Sequence, residues 1–126
     1  KKERHVESPG LAGVFHIQTM DISLIIRTHP EDGERLSLAL RFISAAIAEG
    51  HTVRQCFFQG EGVRSALESH WQDTWQQIAD STGADLLLCS QAVEIHAVDA
   101  HAPFQIGGLG ALVEAAVRSD RVVSFV

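Results

Sequence analysis

The sequence predicts an α/β fold, a three-layer sandwich of the flavodoxin-like or Rossmann-like type with a mainly parallel sheet between helices. Short apolar runs of strand length alternate with longer segments whose apolar residues recur at helical spacing. This alternation is typical of parallel strands joined by right-handed crossovers. The chain has 126 residues, 45% of them hydrophobic, which suits one compact domain. We therefore expect a single α/β domain over residues 21–126.

The first predicted strand covers residues 22–27, a short apolar run whose β-branched residues favour burial on both faces of a sheet. After a turn, apolar residues recur at helical spacing from Leu36 to Ile47, which predicts the first helix. Gly50 follows and suits the left-handed conformation that often ends a helix. The second strand is predicted over residues 51–58.

Two glycines, Gly60 and Gly62, end the second strand. The next helix is predicted around residues 71–81 and is closed by Gly83. It carries two tryptophans four residues apart on one face, which indicates a core or subunit contact rather than a ligand cage. The third strand is predicted over residues 86–89.

The last part of the domain begins with a helix start at residues 90–94 and a loop through residues 96–103. The glycine-rich segment 107–110 opens a helix predicted over residues 111–118. Because this segment lacks the lysine and hydroxyl residue of a phosphate loop, it favours tight helix packing over nucleotide binding. A final strand is predicted over residues 122–125.

Residues 1–20 differ from the rest of the chain. They are polar, contain the turn-forming segment 8–10 and show no strong period. We expect an N-terminal extension that is flexible or contacts a partner, with residues 11–17 as a candidate short strand.

The charge balance argues against a nucleic-acid-binding protein. Lysine and arginine number 10 against 16 acidic residues, which gives a formal charge of −6. No basic run stands out beyond residues 1–4, whereas contact with nucleic acid usually needs a basic patch. Direct nucleic-acid binding is therefore not expected. No apolar run approaches about 18 residues, so no membrane helix is expected either.

The two cysteines do not make a disulfide scaffold, and both stand in apolar runs where thiols are usually reduced. This predicts a reducing, cytoplasmic setting. Cys56 is interpreted as a core residue of the second strand. Cys89 ends the third strand just before a helix start, where free backbone N–H groups and the helix dipole favour negative charge. It is a candidate nucleophile, and the alternative of a small buried hydrophobe stays open.

Four residues are candidates for supporting roles around Cys89: Ser90, Gln91, His96 and Glu61. Ser90 and Gln91 begin the following helix, and His96 is a weak base a few residues further on, unless it is simply an exposed loop residue. The loop of Glu61 follows the second strand, at the sheet edge where ligands bind in such folds. The seven histidines match no zinc-binding spacing, so we expect no metal site.

Local patterns along the chain occur in the order and spacing of a known family. They are the helix segments 39–42 and 45–51, the Phe-Phe and acidic-Gly-Val loop 57–63, Leu88-Cys89 followed by small residues, the Gly-Leu-Gly segment 104–114 and the terminal segment 120–125. Over residues 21–125 the sequence resembles the DsrE/TusD family of sulfur-relay proteins.

The resemblance implies a DsrE-like fold and a sulfurtransferase that carries sulfur as a persulfide on Cys89. It also implies sulfur-donor and sulfur-acceptor proteins as partners and a homo- or hetero-oligomer, a hexamer among the options. No metal or organic cofactor is needed for such transfer. Members of the family serve either tRNA wobble-uridine thiolation or sulfur oxidation, and the sequence leaves both open.

One departure from the family pattern lies just after Cys89. Where the family typically has a pair of arginines, this chain has Ile95 and His96, preceded by the acidic Glu94. Less positive charge weakens the stabilisation of a thiolate. This motivates a second hypothesis, a non-catalytic structural subunit with an inert Cys89. A third and weaker hypothesis is a flavodoxin-like module that binds a small ligand.

Overall fold

The computed structural model describes residues 2–7 and 14–126 and has the three-layer α/β architecture that the sequence predicts. The strands are β1 (Lys2–Glu7), β2 (Val14–Thr19), β3 (Asp21–Ile26), β4 (Thr52–Phe58), β5 (Asp85–Cys89), β6 (Phe104–Gly107) and β7 (Arg121–Phe125). The helices are α1 (Gly33–Ala48), α2 (Ser69–Thr82), α3 (Ser90–Ile95) and α4 (Leu109–Arg118), and a 3-10 helix spans Gly60–Leu67 between β4 and α2.

Strands β3 to β7 form one five-stranded sheet in the order β6-β5-β4-β3-β7, and every neighbouring pair is parallel. The chain steps outward from β3 to β6 and then returns to add β7 on the other side of β3. Because crossovers are right-handed, the outward connections lie on one face and α4, the return connection, lies on the other. The carboxyl ends of all five strands meet at one edge of the sheet.

The hydrophobic core is aromatic around β4. Phe57 and Phe58 of β4 and Trp75 of α2 are fully buried. The ring of Phe58 meets Trp75 edge to face with centroids 4.9 Å apart, and Phe104 with centroids 5.4 Å apart. Such pairs add about 0.5–1.5 kcal/mol each beyond area burial. Trp71 is also buried, so both tryptophans belong to the core rather than to a ligand cage.

The helix ends follow local chemistry. Asp32 caps α1, because its Oδ1 accepts a hydrogen bond from the backbone N–H of Arg35 at 3.2 Å. Past the end of α1, Gly50 has a φ of 87°, and Gly83 ends α2 with a φ of 71°. Glycine adopts this left-handed region without a Cβ clash. The predicted positions of both helix ends are therefore confirmed.

Three elements are not predicted from the sequence: β1, β6 and the 3-10 helix. Strand β6 falls between the predicted loop 96–103 and the glycine-rich segment, and its two middle residues are exposed. With only four residues at the edge of the sheet, it shows neither an apolar run nor an alternating pattern. The 3-10 helix occupies the segment where two glycines predict only an interruption.

The N-terminal residues within the described ranges form a separate two-stranded sheet. Strands β1 and β2 pair antiparallel, with Lys2 opposite Thr19 and Glu7 opposite Val14. The candidate strand over residues 11–17 overlaps β2 from Val14 onward, and residues 11–13 lie outside the described residues. No helix in the described part of the chain is both long and apolar enough to cross a membrane.

Candidate active site

Cys89 is the last residue of β5 and stands opposite Gly107 in the register with β6. It is 8% exposed and lines a cavity of about 230 Å³ at the carboxyl edge of the sheet. Both cysteines of the chain are free. The buried strand thus delivers a thiol to a cavity wall, which agrees with the position that ligands take in parallel α/β sheets.

Residues at the carboxyl ends of β3, β4 and β5, together with α3 and the start of α4, build the cavity around this thiol. Its polar lining consists of Arg27, Gln59, Gln91 and His96, and its apolar lining includes Ile95 and Leu109. Arg27 follows β3 directly, and its backbone N–H donates to the carbonyl of Phe125 at 2.7 Å. The backbone N–H of Gln59, just after β4, donates to the carbonyl of Ile26 at 3.0 Å. These bonds fix the strand ends that carry the polar side chains.

The charge of the cavity lining is positive. Arg27 contributes a permanent positive charge, and His96 contributes a second one whenever it is protonated. Among the described residues, no carboxylate lines this cavity. A cavity of this kind favours an anion, including a thiolate or a persulfide anion on Cys89.

Glu61 lies next to His96 and contacts three basic side chains. Its Oε2 is 3.4 Å from Nε2 of His29, 3.7 Å from Nε of Arg64 and 3.9 Å from Nδ1 of His96. These residues come from the loop after β3, the 3-10 helix and the end of α3. We call this set of four the Glu61 cluster. It joins three segments of the chain next to the Cys89 cavity.

The structure brings most of the predicted supporting residues together. Gln91 and His96 line the Cys89 cavity, and Glu61, which is outside the lining, contacts His96. The side chain of His96 is only 17% exposed, which argues against an exposed loop residue. Ser90 is exposed and is not part of the cavity lining.

Sequence reasoning misses Arg27 and Gln59 as parts of this site, and it places the His29 loop at this edge of the sheet without predicting the contact of His29 with Glu61. His29 is easily taken for a turn residue, and its Nδ1 does accept the backbone N–H of Glu31 at 3.0 Å. The available signal is that Arg27 and Gln59 follow directly after strands β3 and β4, with His29 two residues beyond Arg27. In a parallel sheet such residues converge at the carboxyl edge.

Cys56 has the opposite environment. It is fully buried in the core, and burial raises the pKa of its thiol from 9.0 to about 12. A thiol with such a pKa is almost entirely protonated near neutral pH and is a poor nucleophile. The interpretation of Cys56 as a core residue is confirmed, and Cys89 is the cysteine that borders a cavity.

The remaining site chemistry is limited. Within the described ranges, no group of three or more His, Cys, Asp or Glu side chains is arranged to hold a metal ion. A larger cavity of about 580 Å³ lies between α4 and the amino-terminal parts of β4 and β5, where Arg54, Gln55 and Glu114 are among its lining residues. It contains no cysteine and lies at the opposite end of the strands from Cys89.

Comparison with known proteins identifies related sequences. The model of the DsrE/DsrF-like family matches residues 20–125. Sulfurtransferase TusD of Cronobacter sakazakii is 33% identical over 128 aligned positions, which cover 84% of this chain and 100% of the relative. The putative sulfurtransferase DsrE of Allochromatium vinosum is 28% identical over 84% of this chain and 98% of the relative.

A solved structure agrees with the fold. The ychN protein of E. coli superposes with a TM-score of 0.70 at 19% sequence identity, covering 86% of this chain and 100% of that one. At this identity the likeness concerns the fold alone.

Proposed function

Because this chain belongs to the DsrE/DsrF-like family, we propose that it is a sulfurtransferase of a sulfur relay. In this proposal Cys89 accepts sulfane sulfur as a persulfide and passes it to a cysteine of a partner protein. The observation that carries the proposal is the contrast between the two thiols. Cys89 borders a cavity with a positively charged lining, whereas Cys56 is sealed in the core with a raised pKa.

The proposed loading step exchanges one sulfur–sulfur bond for another. The Cys89 thiolate attacks the terminal sulfur of a donor persulfide, R–S–SH. A bond forms between that sulfur and Sγ of Cys89, the donor S–S bond breaks, and the donor leaves as the thiolate R–S⁻. The proton stays on the transferred sulfur, and no net oxidation occurs. Delivery to an acceptor cysteine repeats the exchange, with Cys89 as the leaving thiolate.

The cavity offers a replacement for the arginine pair that the family resemblance implies. Ile95 is 78% exposed and carries no charge, so it cannot stabilise a thiolate. Arg27 and His96 supply positive charge from β3 and from the end of α3 instead. Helix α3 has only six residues, and these side chains therefore supplement the free N–H groups of its first turn.

Donor and acceptor proteins are the proposed partners, in tRNA wobble-uridine thiolation or in sulfur oxidation, and the proposed setting is cytoplasmic. A proposed oligomer agrees with an apolar stripe on α4. Leu109, Val113 and Val117 recur every four residues on this helix, and all three are exposed. Exposed apolar stripes of this kind commonly mark subunit contacts.

Intact-protein mass spectrometry after incubation with a persulfide donor tests the proposal. We expect the wild type to gain the mass of sulfur and Cys89→Ser to gain none. Cys56→Ala is the matched control, because it removes the other thiol and leaves the cavity intact. Loading of Cys89→Ser to the level of the wild type would show that the sulfur is carried elsewhere.

A non-catalytic structural subunit is the second candidate, and the small exposed fraction of Cys89 favours it. In that case Cys89 would react slowly with a neutral thiol probe, and its rate would rise only at alkaline pH. The proposed carrier instead predicts reaction near neutral pH. Alkylation rates at pH 7 and pH 9 therefore separate the two candidates.

A further inference from the structure

We propose that Glu61 is a positioning residue that holds the ring of His96 at the Cys89 cavity. His29 is the second histidine that contacts Glu61. The charge of His96 then adds a pH-dependent part to the reactivity of Cys89, on top of the constant part from Arg27. This inference rests on the proposed persulfide chemistry at Cys89 and names the residues that regulate it.

The 3-10 helix gives Glu61 a fixed place. The backbone N–H of Gly62, the next residue, donates to the carbonyl of Gln59 at 2.9 Å. A Cβ added at Gly62 would overlap the carbonyl oxygen of Ile26. The turn that carries Glu61 therefore lies directly against the end of β3, close to Arg27.

His29 also contacts the carboxylate of Glu61. Because Nδ1 of His29 accepts the backbone N–H of Glu31, the neutral ring carries its proton on Nε2. That atom lies 3.4 Å from Oε2 of Glu61. This contact is an ion pair when the His29 ring is protonated.

The contact between Glu61 and His96 depends on charge. The distance of 3.9 Å between Oε2 and Nδ1 is too long for a hydrogen bond, so the attraction is that of an ion pair and needs a protonated ring. His96 also shares the cavity with Arg27 and Cys89. Of the other charged groups nearby, Arg64 pairs with Glu61 at 3.7 Å, and Glu94 of α3 is exposed.

The sign of the pH effect follows from these contacts. Histidine side chains ordinarily gain their charge as pH falls between 8 and 5. When His96 is protonated, Glu61 holds the ring and its positive charge favours the Cys89 thiolate. When His96 is neutral, that part of the stabilisation is lost and Arg27 alone remains. The contribution of Glu61 and His96 to the alkylation rate of Cys89 should therefore be present at acidic pH and absent at alkaline pH.

The test is the pH profile of Cys89 alkylation by iodoacetamide between pH 5 and pH 9, followed by peptide mass spectrometry. Glu61→Gln keeps the shape of the side chain and removes its charge, and His96→Gln removes the titrating ring. Glu114→Gln is the matched control, since Glu114 is an exposed carboxylate paired with Arg118 at 3.5 Å. Thermal unfolding checks that each variant is folded.

We expect Glu61→Gln and His96→Gln to lower the alkylation rate about threefold to fivefold at pH 6, the size of a partly exposed ion pair. At pH 9 the rates should match the wild type, and Glu114→Gln should match it throughout. A Glu61→Gln profile identical to that of the wild type, or one lowered equally at every pH, would overturn the positioning role.

Sulfur loading on the same variants separates this inference from the proposed function. If the wild type loads sulfur at Cys89 but Glu61→Gln keeps the wild-type pH profile of alkylation, the carrier role stands and the role of Glu61 is refuted. If the wild type takes up no sulfur but Glu61→Gln lowers the alkylation rate at pH 6 and not at pH 9, the carrier role is refuted and the positioning of His96 stands.

Discussion

The substitution Gly62→Ala would disturb both the fold and the site, because Gly62 packs backbone against backbone. A Cβ at this position would overlap the carbonyl oxygen of Ile26 and lie 2.9 Å from the Ile26 carbonyl carbon and 3.3 Å from Cα of Arg27. Ordinary Cβ contacts lie at 3.4–4 Å. No side chain can rotate away to relieve the overlap, so the 3-10 helix must move off β3.

The expected cost has two parts. Overpacking costs about 1–3 kcal/mol, and the shift weakens the hydrogen bond from Gln59 N–H to the Ile26 carbonyl, which is worth about 0.5–1.5 kcal/mol. The sum is about 1.5–4.5 kcal/mol. At roughly 3–6 °C per kcal/mol for a domain of this size, the melting temperature should fall by about 5–25 °C.

Thermal unfolding followed by circular dichroism measures this change, with Gly110→Ala as the matched control. Gly110 lies in α4, and a Cβ there would meet nothing within 4 Å. Alanine is the better helix former, so the control should leave the melting temperature unchanged or raise it slightly. A melting temperature of Gly62→Ala within about 2 °C of the wild type would refute the reasoning.

Two further predictions concern the charged and buried groups. Arg27→Gln should lower the alkylation rate of Cys89 at every pH between 5 and 9, because the guanidinium keeps its charge throughout; an effect confined to low pH would contradict this. The pKa of Cys56 is raised from 9.0 to about 12 by burial, so above pH 9 the unfolded chain loses a proton that the folded protein keeps. Stability should therefore decline by up to about 1.4 kcal/mol per pH unit above pH 9. Urea unfolding at pH 8 and pH 10 checks this, with the decline expected to be smaller in Cys56→Ala and retained in Cys89→Ser.

The strands could be predicted where they are buried, because buried strands are runs of apolar residues in the sequence. Strands β3, β4 and β5 are central or nearly so, and their apolar runs show it. Strand β6 lies at the edge, and its residues Gln105 and Ile106 are exposed, so no apolar run marks it. The 3-10 helix is short, and its buried residues Gly62, Val63, Ser65 and Ala66 are mostly small and form no apolar run.

The candidate site divides in the same way. The place of Cys89 at the carboxyl edge of the sheet could be predicted because it depends on local order along the chain, a buried strand followed by a helix. The place of Arg27 in the same cavity depends on the strand order, which sets β3 two strands away from β5. The contact of Glu61 with His96 joins residues far apart in the sequence. Local patterns carry no information on such contacts.

The separation of the two cysteines has a consequence for how long a persulfide would survive. Cys56 pairs in register with Leu86, and three further residues along β5, at about 3.3 Å each, lead to Cys89. That separation exceeds the Cα distance of about 4.4–6.8 Å that a disulfide needs. In the proposed relay, Cys56 could therefore not strip the sulfur from Cys89 by closing an internal disulfide. The lifetime of the persulfide would then be set by encounters with thiols of other molecules, so the loaded protein would keep its sulfur until an acceptor thiol reaches Cys89.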